Sequence, residues 1–477
     1  MGRAPPTLAG MDSTLACLTA WMPRQRWYAT KGRSPRLRMV SWWDFEPAGP
    51  TESVSDADQV LFVRTYLVAD DASDPAVLYQ VPVVARAAPQ VAADDPHEIG
   101  RPDPDLILRD GPYDDAYAQV LLSLITGGGT AIGPGSQATG HPAAAHDERQ
   151  RTNRVMTGEQ SNTSLVFEGP EAMPVICKIY RQLHPGHNPD IELPGALAAG
   201  GSPHVPAAVG WIEGSWPSPG DTESVVRGSL ASAQEFLPGV QDAWRVALNA
   251  AASGADFRAA AEELGIATAD VHVALARLFP QQECTPAQRD AVAAAWNRRL
   301  SIALDEVPAL SPWRSDIEAV YATALRLPWP ALQRIHGDYH LGQVLRVPGR
   351  GWVLLDFEGE PLRPMDERTL PDLALRDVAG MLRSFDYVAG SLELERPDQA
   401  SAVRDWARTA RESFLRGYAA VSFVDLTTVA TLLTALEMDK AVYEAIYEVR
   451  NRPAWTEIPL GAVKRLIAEV SSPSNRR

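Results

Sequence analysis

The stretch that most constrains this chain is residues 336–343, His-Gly-Asp-Tyr-His-Leu-Gly-Gln, followed at once by two short apolar runs. A Pro/Gly-rich turn separates the runs Val344 to Val347 and Trp352 to Asp356, which therefore predict a β-hairpin. The second run ends in Asp-Phe-Glu and places Asp356 eighteen residues after Asp338. A buried hairpin would hold both carboxylates rigidly, so the pattern requires a folded scaffold built around two acids.

This pattern contains the parts needed for phosphoryl transfer. In kinases an aspartate accepts the hydroxyl proton, an amide side chain five residues later binds Mg²⁺, and an Asp-Phe segment after a strand supplies another metal ligand. Asp338 is therefore the predicted catalytic base, and Gln343 and Asp356 are the predicted Mg²⁺ ligands, with Gln in place of the usual Asn. Glu358 is predicted to reach the metal or a substrate hydroxyl. Each acid alone is more often a turn or cap residue, but the combination predicts a kinase.

Lys178 is the predicted phosphate-binding cation. The chain has only four lysines among its 44 basic residues, and Lys178 lies in the apolar run 174–180. An unpaired ammonium group is costly in such a strand, so we expect a pair with an acid of the next helix. Asp190 and Glu192 both qualify, and we choose Glu192 because Asp190 could instead cap the helix.

Two further segments indicate ATP. The small polar residues Ser161, Asn162 and Thr163 precede a strand and are predicted to fold over the phosphates, although the loop has no GxGxxG pattern. The run Gln-Glu-Phe-Leu-Pro-Gly at 234–239 resembles a kinase hinge, in which the backbone of Glu235 and Leu237 would bind adenine.

Residues 439–452 predict a helix with a polar and aromatic face. Lys440, Tyr443, Glu444 and Tyr447 recur on one side at helical spacing. Such a face suits a sugar, which offers a ring face for stacking and hydroxyls for hydrogen bonds. The alternative is a helix held by internal ion pairs and packed tyrosines.

Three other residues complete the predicted acceptor site. His340 lies in the catalytic loop, and Arg383 and Asp386 follow in Arg-Ser-Phe-Asp-Tyr. We predict substrate contacts from His340 and Arg383. The spacing of three between Arg383 and Asp386 equally permits a simple surface pair.

Composition excludes several other classes of protein. Hydrophobic residues make up 45% and charged residues 22%, as in soluble enzymes, and the net charge of −16 argues against a nucleic-acid partner. The segment Trp21 to Arg33 mixes aromatics and cations, and we interpret it as a cap helix and strand anchored by tryptophans. No signal segment, long apolar run or CxxC pair appears, so we expect a cytoplasmic protein without membrane contact.

The order of elements predicts an α+β protein with an N-terminal β-rich cap at 1–126, a kinase N-lobe at 127–237 and a helical C-lobe at 238–477. The Gly/Pro/Ala-rich segment 127–150 is predicted to be a linker or mobile loop. We predict strands at 37–43, 60–68, 77–84, 163–167, 173–180 and 230–236, and helices at 113–125 and from about 190.

Several stretches resemble one known family. They are QRWYATKGR, EQSNTSLVF, NPDIEL, RIHGDYHLGQVLR, LLDFEGEP, RDVAGMLRSFDY and DKAVYEAIYEVRNRPAW followed by IPL, and they span residues 21–460. They are similar to the aminoglycoside-phosphotransferase-like kinases, and more closely to the actinobacterial maltokinases. Tyr339 departs from the pattern, because the family members compared carry Leu at this position.

The resemblance implies a bilobal eukaryotic-protein-kinase-like fold with an extra cap. It also implies ATP- and Mg²⁺-dependent transfer to the anomeric hydroxyl of maltose, by a monomer whose product, maltose 1-phosphate, feeds α-1,4-glucan (glycogen-type) synthesis. The alternatives are a kinase for glucosamine, another sugar or an aminoglycoside, or a non-catalytic pseudokinase. A polycationic aminoglycoside would require a strongly anionic pocket.

Overall fold

The computed structural model describes residues 8–45, 60–88, 95–143, 149, 151–157, 161–221, 223–360 and 363–471. The chain forms two compact units. Unit 1 comprises residues 1–195 and 207–238, and unit 2 comprises residues 196–206 and 239–477.

Unit 1 is built on an antiparallel sheet of thirteen strands with three helices, the last of which begins in this unit. The helices are α1 (Leu8–Trp21), α2 (Asp115–Gly127) and α3 (Pro189–Ala199). The strands are β1 (Leu37–Phe45), β2 (Val60–Asp70), β3 (Val77–Ala87), β4 (Glu98–Asp103), β5 (Leu106–Asp110), β6 (Thr130–Gly133), β7 (Ser136–Pro142), β8 (Thr152–Val155), β9 (Thr163–Glu168), β10 (Val175–Ile179), β11 (Gln182–Leu183), β12 (Ala208–Pro217) and β13 (Val225–Glu235).

The order of the strands joins the cap and the kinase lobe in a single sheet. It runs β4-β5-β3-β2-β1-β6-β7-β12-β13-β10-β9-β8, and β11 pairs with β3. Because successive side chains of a strand point to opposite faces, β2 contributes to an apolar cluster on each face of the sheet. Tyr66 and Val68 pack in the cluster with α1, and Leu67 and Ala69 pack in the cluster with α2. The two helices thus cover opposite faces of the sheet.

Two predictions for the N-terminal part need correction. The cap helix is α1, which ends at Trp21, so most of the segment 21–33 follows the helix instead of forming it. Trp21 and Trp27 are nevertheless buried, as predicted for anchors. The segment 127–150 is not simply a linker, because β6 and β7 form a hairpin within it. Its residues 144–148 and 150 lie outside the described residues.

The remaining predicted elements of unit 1 are present. Strands are observed where 37–43, 60–68, 77–84, 163–167, 173–180 and 230–236 predicted them, with ends shifted by a few residues. The predicted boundary between residues 237 and 238 lies beside the one between Pro238 and Gly239. The division at 126 remains a prediction, since β1 and β6 pair across it.

Unit 2 is helical except for a three-stranded sheet. The helices are α4 (Ala243–Ser253), α5 (Arg258–Leu278), α6 (Pro286–Glu306), α7 (Arg314–Leu325), α8 (Met365–Arg368), α9 (Ala374–Glu395), α10 (Ala400–Ser422), α11 (Leu426–Asn451) and α12 (Glu457–Ser471). The strands are β14 (Gln241–Asp242), β15 (Val344–Val347) and β16 (Gly351–Leu354), in the order β14-β15-β16. The predicted hairpin is therefore confirmed, although its second strand ends two residues before Asp356.

Helix α9 is central to unit 2. Met381, Leu382, Phe385 and Val388 are fully buried, and so is the polar residue Asp377 near its start. A helix buried on several sides offers fixed positions for polar side chains that must hold a neighbouring loop. No described helix is both long and apolar enough to cross a membrane.

Candidate active site

The backbone of the catalytic loop is fastened to α9 by one carboxylate. The backbone N–H groups of His336 and Gly337 donate to Asp377 at 2.8 and 2.9 Å, and His272 Nε2 lies 3.0 Å from Asp377 Oδ2. Burial alone would raise the pKa of Asp377, but the hydrogen bond and charge of His272 outweigh it and lower the pKa. Asp377 thus remains ionised and fixes the loop immediately before Asp338.

Tyr339, the residue that departs from the family pattern, has a structural role. Its side chain is buried, and its hydroxyl lies 2.8 Å from Thr268 Oγ1. Its backbone oxygen approaches α9 so closely that a Cβ atom on Gly380 would lie 2.5 Å away. Glycine at 380 therefore permits the loop to rest against the helix, and Tyr339 anchors it from the other side.

The two predicted metal ligands lie side by side. The side-chain Nε2 of Gln343 donates to Asp356 Oδ2 at 3.0 Å. The backbone N–H of Leu355 donates to the backbone oxygen of Gln343 at 2.9 Å. The Gln343 side chain also carries a carbonyl oxygen, and oxygen ligands are what Mg²⁺ prefers. Asp356 has a φ of 63°, a left-handed conformation that non-glycine residues rarely adopt and that clusters at functional sites.

His340 holds the turn that leads to Gln343. Its Nδ1 accepts a hydrogen bond from Gly342 N at 3.0 Å, which requires that nitrogen to be unprotonated. Burial lowers the pKa of His340, so the neutral ring is favoured. Its predicted contact with substrate remains a prediction.

A cleft beside Asp338 is the candidate acceptor pocket, and it lies wholly within unit 2. The space within it that admits water-sized molecules is about 30 Å³, and the rest of the cleft opens to solvent. Lys440 Nζ lies 3.8 Å from Asp338 Oδ1, and the Tyr443 ring lies 5.5 Å from Lys440 Nζ and 5.8 Å from Arg299 Cζ. The lining residues are Arg299, Gly337, Asp338, Tyr339, Glu360, Arg376, Asp377, Gly380, Leu436, Asp439, Lys440 and Tyr443.

The cations of this pocket are matched with acids. Arg299 forms an ion pair with Asp439, and Arg376 lies 4.0 Å from the same carboxylate. Arg376 also bonds Asp372 at 2.8 Å. The pocket therefore presents its charges as pairs, rather than as the bare carboxylates that a polycation would require.

Three of the residues predicted to bind substrate lie elsewhere. Arg383 is only 1% exposed and bonds both Asp386 and Glu444, at 2.6 and 2.7 Å. This is neither a sugar contact nor the simple surface pair considered as the alternative. Glu444 is likewise committed to Arg383, and burial raises its pKa. Tyr447 is exposed and does not line the pocket, so of the predicted helix face only Lys440 and Tyr443 do.

Glu358 lies near a cation that the sequence analysis did not consider. Burial lowers the pKa of Arg368, while the negative charges of Glu358, Asp338 and Asp356 act in the opposite direction. Glu358 does not line the acceptor pocket. Its predicted role at the metal or a substrate hydroxyl remains a prediction.

In unit 1, Lys178 forms an ion pair on β10 as predicted, but with a different acid. Its Nζ lies 3.2 Å from Asp190 Oδ2, the acid that was set aside, and the pairing of Lys178 with Glu192 remains a prediction. The reason for setting Asp190 aside was wrong, because Asn188 caps the helix: its Oδ1 accepts from Asp190 N at 2.9 Å. Asp190 is therefore available to bind the lysine.

The other predicted ATP-binding residues lie on the same sheet. Thr163 is buried and its hydroxyl accepts from Arg181 Nε at 2.9 Å, so its side chain serves the core instead of a phosphate. Ser161 and Asn162 form the bend before β9 and keep their predicted role, whereas Gln160 lies outside the described residues. Glu235 ends β13, and Leu237 follows it outside the regular secondary structure, which is compatible with a hinge.

Sequence reasoning missed five residues around Asp338. Two carried a detectable signal: Asp377 directly precedes the apolar run Val378 to Leu382, and Asp439 directly precedes Lys440. Glu360 and Arg376 lie in the quoted stretches LLDFEGEP and RDVAGMLRSFDY, but they were given no role. Arg299 comes from a distant segment that no local pattern marks.

Comparisons with known proteins agree with this geometry. A family model described as the maltokinase N-terminal cap domain matches residues 21–114, and one described as the phosphotransferase enzyme family matches residues 154–423. A protein named glucosamine kinase from Streptacidiphilus jiangxiensis is 32% identical over 341 residues, which are 65% of this chain and 72% of the relative. Another of that name from Mycolicibacterium smegmatis is 30% identical over 335 residues, 68% of this chain and 81% of the relative.

The fold is also known from solved structures. One described as glucosamine kinase in complex with glucosamine, ADP and inorganic phosphate has a TM-score of 0.67 and 24% identity, and covers 97% of this chain and 100% of that chain. A second, glucosamine kinase in crystal form A, has the same TM-score with 23% identity, and covers 99% of this chain and 100% of that chain. At such identities the likeness shows the kinase fold. The chain therefore belongs to the phosphotransferase enzyme family, as a maltokinase-like kinase of the sugar and aminoglycoside type that carries a maltokinase N-terminal cap.

Proposed function

We propose that this kinase transfers the γ-phosphoryl group of ATP to the anomeric hydroxyl of maltose and releases maltose 1-phosphate. The observation that carries the proposal is the charge pairing of the pocket beside Asp338. Arg299, Arg376 and Lys440 all lie within 4.0 Å of a pocket carboxylate. A neutral polyol can hydrogen-bond to such pairs without leaving a charge uncompensated, whereas an ammonium group would add a positive charge beside carboxylates that are already paired with cations.

Asp338 is the proposed base. Its carboxylate accepts the proton of the anomeric hydroxyl while that oxygen attacks the phosphorus atom. Lys440, 3.8 Å away, pairs with Asp338 and orients it, and Asp377 holds the loop that carries it. Positioning and charge supply most of the rate enhancement in reactions of this kind.

Gln343 and Asp356 are the residues that would hold Mg²⁺. When bound, Mg²⁺ supplies positive charge that neutralises the phosphate oxygens. The ion pair of Lys178 with Asp190 supports a role for Lys178 as the phosphate cation. Ser161, Asn162, Glu192 and the backbone of Glu235 and Leu237 are the further proposed ATP contacts.

The cap match supports maltose as the acceptor, and the names of the full-length relatives support glucosamine as a second candidate. The two sugars differ in charge, because glucosamine carries an ammonium group near neutral pH. On the family resemblance we also propose a cytoplasmic monomer whose product supplies α-1,4-glucan synthesis.

An acceptor panel tests the proposal. Purified enzyme with ATP and Mg²⁺ is assayed for ADP release with maltose, glucose, glucosamine and an aminoglycoside, and the new phosphate is located by NMR. We expect maltose to be preferred and its anomeric proton to couple to phosphorus. Preference for glucosamine, or phosphate on another hydroxyl, would contradict the proposal.

A further inference from the structure

One carboxylate oxygen in the acceptor pocket is buried and has no hydrogen-bond partner in the part of the chain that the structure describes. We propose that this atom, Asp439 Oδ1, accepts a hydrogen bond from a hydroxyl of the sugar acceptor and so determines which sugar is bound. The inference rests on the proposed function, because it takes the acceptor of this pocket to be a neutral sugar.

The burial of Asp439 makes this atom conspicuous. The residue is 2% exposed and lines the cleft that contains Asp338. Its Oδ2 atom is held by Arg299, while Oδ1 has no partner among the described residues. A buried polar atom without a hydrogen bond costs about 1–3 kcal/mol, so such atoms are normally satisfied in the working state of a protein.

Its position on α11 places it within reach of the same ligand as the base. Asp439 directly precedes Lys440, which contacts Asp338, and Tyr443 follows one turn later on the wall of the same cleft. A sugar whose reacting hydroxyl faces Asp338 would thus present its other hydroxyls to the surface that includes Asp439. The α11 wall of the cleft then supplies the contact of Lys440 with the base, the ring of Tyr443 and the hydrogen-bond-accepting oxygen of Asp439.

The surroundings of Asp439 select a hydroxyl over an ammonium group. Arg299 and Arg376 both face its carboxylate and already supply the opposite charge. A hydroxyl donates one hydrogen bond to Oδ1 without adding charge, whereas an ammonium group would be placed near two guanidinium groups.

An internal water is the competing explanation. Tyr321 Oη is also buried without a partner, and the charge of Asp439 acts on it. Burial, followed by that charge, raises the pKa of Tyr321 well above its ordinary value, so its hydroxyl remains a donor. A water joining Tyr321 to Asp439 would satisfy both groups and leave the sugar uninvolved.

A cycle of enzyme variants against deoxy sugars separates these explanations. The panel is built on whichever sugar the enzyme phosphorylates best, with one hydroxyl removed at a time. Dissociation constants for each analogue are measured by calorimetry in the presence of a non-hydrolysable ATP analogue and Mg²⁺. The enzymes are wild type, Asp439→Asn, and Asp386→Asn, which removes another buried acid that does not line the pocket.

We expect one deoxy sugar to bind wild type at least about tenfold more weakly than the parent sugar, as for a lost hydrogen bond to a charged group. Removing the same sugar hydroxyl should weaken binding to Asp439→Asn by less than about twofold. Asp386→Asn should lose as much affinity for the deoxy sugar as wild type does. Should Asp439→Asn fail to fold, Asp439→Glu retains the charge, displaces the oxygen, and decides the question through the same cycle.

The proposal is overturned if every deoxy sugar loses as much affinity with Asp439→Asn as with wild type, as the internal water predicts. It is also overturned if the variant changes only the preference between an amino sugar and its hydroxyl counterpart, which would mark a cation site. If the acceptor panel rejects maltose, the cycle is performed on the sugar that is used instead. Failure of the proposed function is therefore distinguishable from failure of this inference.

Discussion

Helices α9 and α11 each contribute to two groups of charged residues that look alike in sequence and differ in what they do. The pocket cluster consists of Arg299, Asp338, Arg376, Asp439 and Lys440. The interior cluster consists of Arg383, Asp386, Arg411, Glu437, Glu444 and Arg465. In the interior cluster each arginine bonds acids from neighbouring helices, whereas the pocket cluster borders a cleft and leaves Asp439 Oδ1 without a partner.

The two clusters differ in whether their charged groups are fully paired with one another. Arg383 is 1% exposed and joins Asp386 to Glu444, so this cluster ties α9 to α11 and has no place for a ligand. Charges in the pocket cluster are also paired, but they border a cleft that opens to solvent. Loss of a charge should therefore reduce stability in the interior cluster and catalysis in the pocket cluster.

The largest effect is expected for Asp338→Asn. Removing the base should lower kcat by about 10³-fold, within the usual 10² to 10⁴ range for general bases, while unfolding by urea and ATP binding remain near wild type. Steady-state kinetics measure kcat, and calorimetry measures ATP binding. Near-normal turnover would remove Asp338 from the role of base.

The next largest effect is expected for Arg383→Met, and it should appear in stability. Asp386 and Glu444 would lose their shared cation in the interior, which lowers the free energy of unfolding by about 3 kcal/mol. Urea unfolding measures this, with Arg408→Met as the exposed control. A stable variant with a raised acceptor KM would instead place Arg383 at the substrate, as the sequence first indicated.

Lys440→Gln should show the opposite pattern. Loss of the cation 3.8 Å from Asp338 is expected to lower kcat/KM for the acceptor by about tenfold while changing stability by less than about 0.5 kcal/mol. Lys464→Gln, on an exposed lysine of α12, is the matched control. Equal effects of the two substitutions would contradict a role for Lys440 in the pocket.

A smaller effect is expected from the pH dependence of His340. Because its pKa is below the ordinary 6.5 when folded, the unfolded chain binds the proton more readily, and stability should fall as pH falls below about 6.5. His340→Asn retains an acceptor for Gly342 N–H and should lose less stability between pH 7 and pH 5. Thermal unfolding at both pH values measures it, and an unchanged pH dependence would contradict this account of the turn.

The smallest effect is expected for Tyr447→Ala. The ring is 44% exposed and lies 5.7 Å from Arg452 Cζ, outside the pocket. Its removal should change acceptor KM by less than about twofold. A larger change in steady-state KM would extend the acceptor site along α11 and restore the prediction from helical spacing.

Local patterns predicted those parts of the site that are local in sequence. The spacing of Asp338, Gln343 and Asp356 reflects a loop and one hairpin, so the chain itself fixes their proximity. Helical spacing on α11 brings Lys440 and Tyr443 to the wall of the cleft, and their contact with substrate remains a prediction. It failed at Glu444, where the partner Arg383 comes from another helix and no periodicity reveals it.

For the fold as well, local sequence patterns predicted the elements that depend on local sequence. Apolar strands such as β2 and β3 follow from composition, whereas the hairpin of β6 and β7 was taken for a linker because glycine and proline are common in it. A sheet partner, β12, supplies the burial that such a sequence does not indicate. Likewise, Asp190 can pair with Lys178 because Asn188 caps the helix in its place. The sequence does not reveal which of two neighbouring residues takes the capping position.

The central claim is that a charge-paired pocket beside Asp338 receives a neutral sugar. The most direct measurement is the ratio of kcat/KM for maltose to that for glucosamine, with ATP and Mg²⁺ saturating. The account predicts a ratio well above one that falls as pH rises through the ammonium pKa of glucosamine, because the neutral amine no longer adds a positive charge to the pocket. A ratio below one near neutral pH, falling further as glucosamine becomes more fully charged, would contradict it.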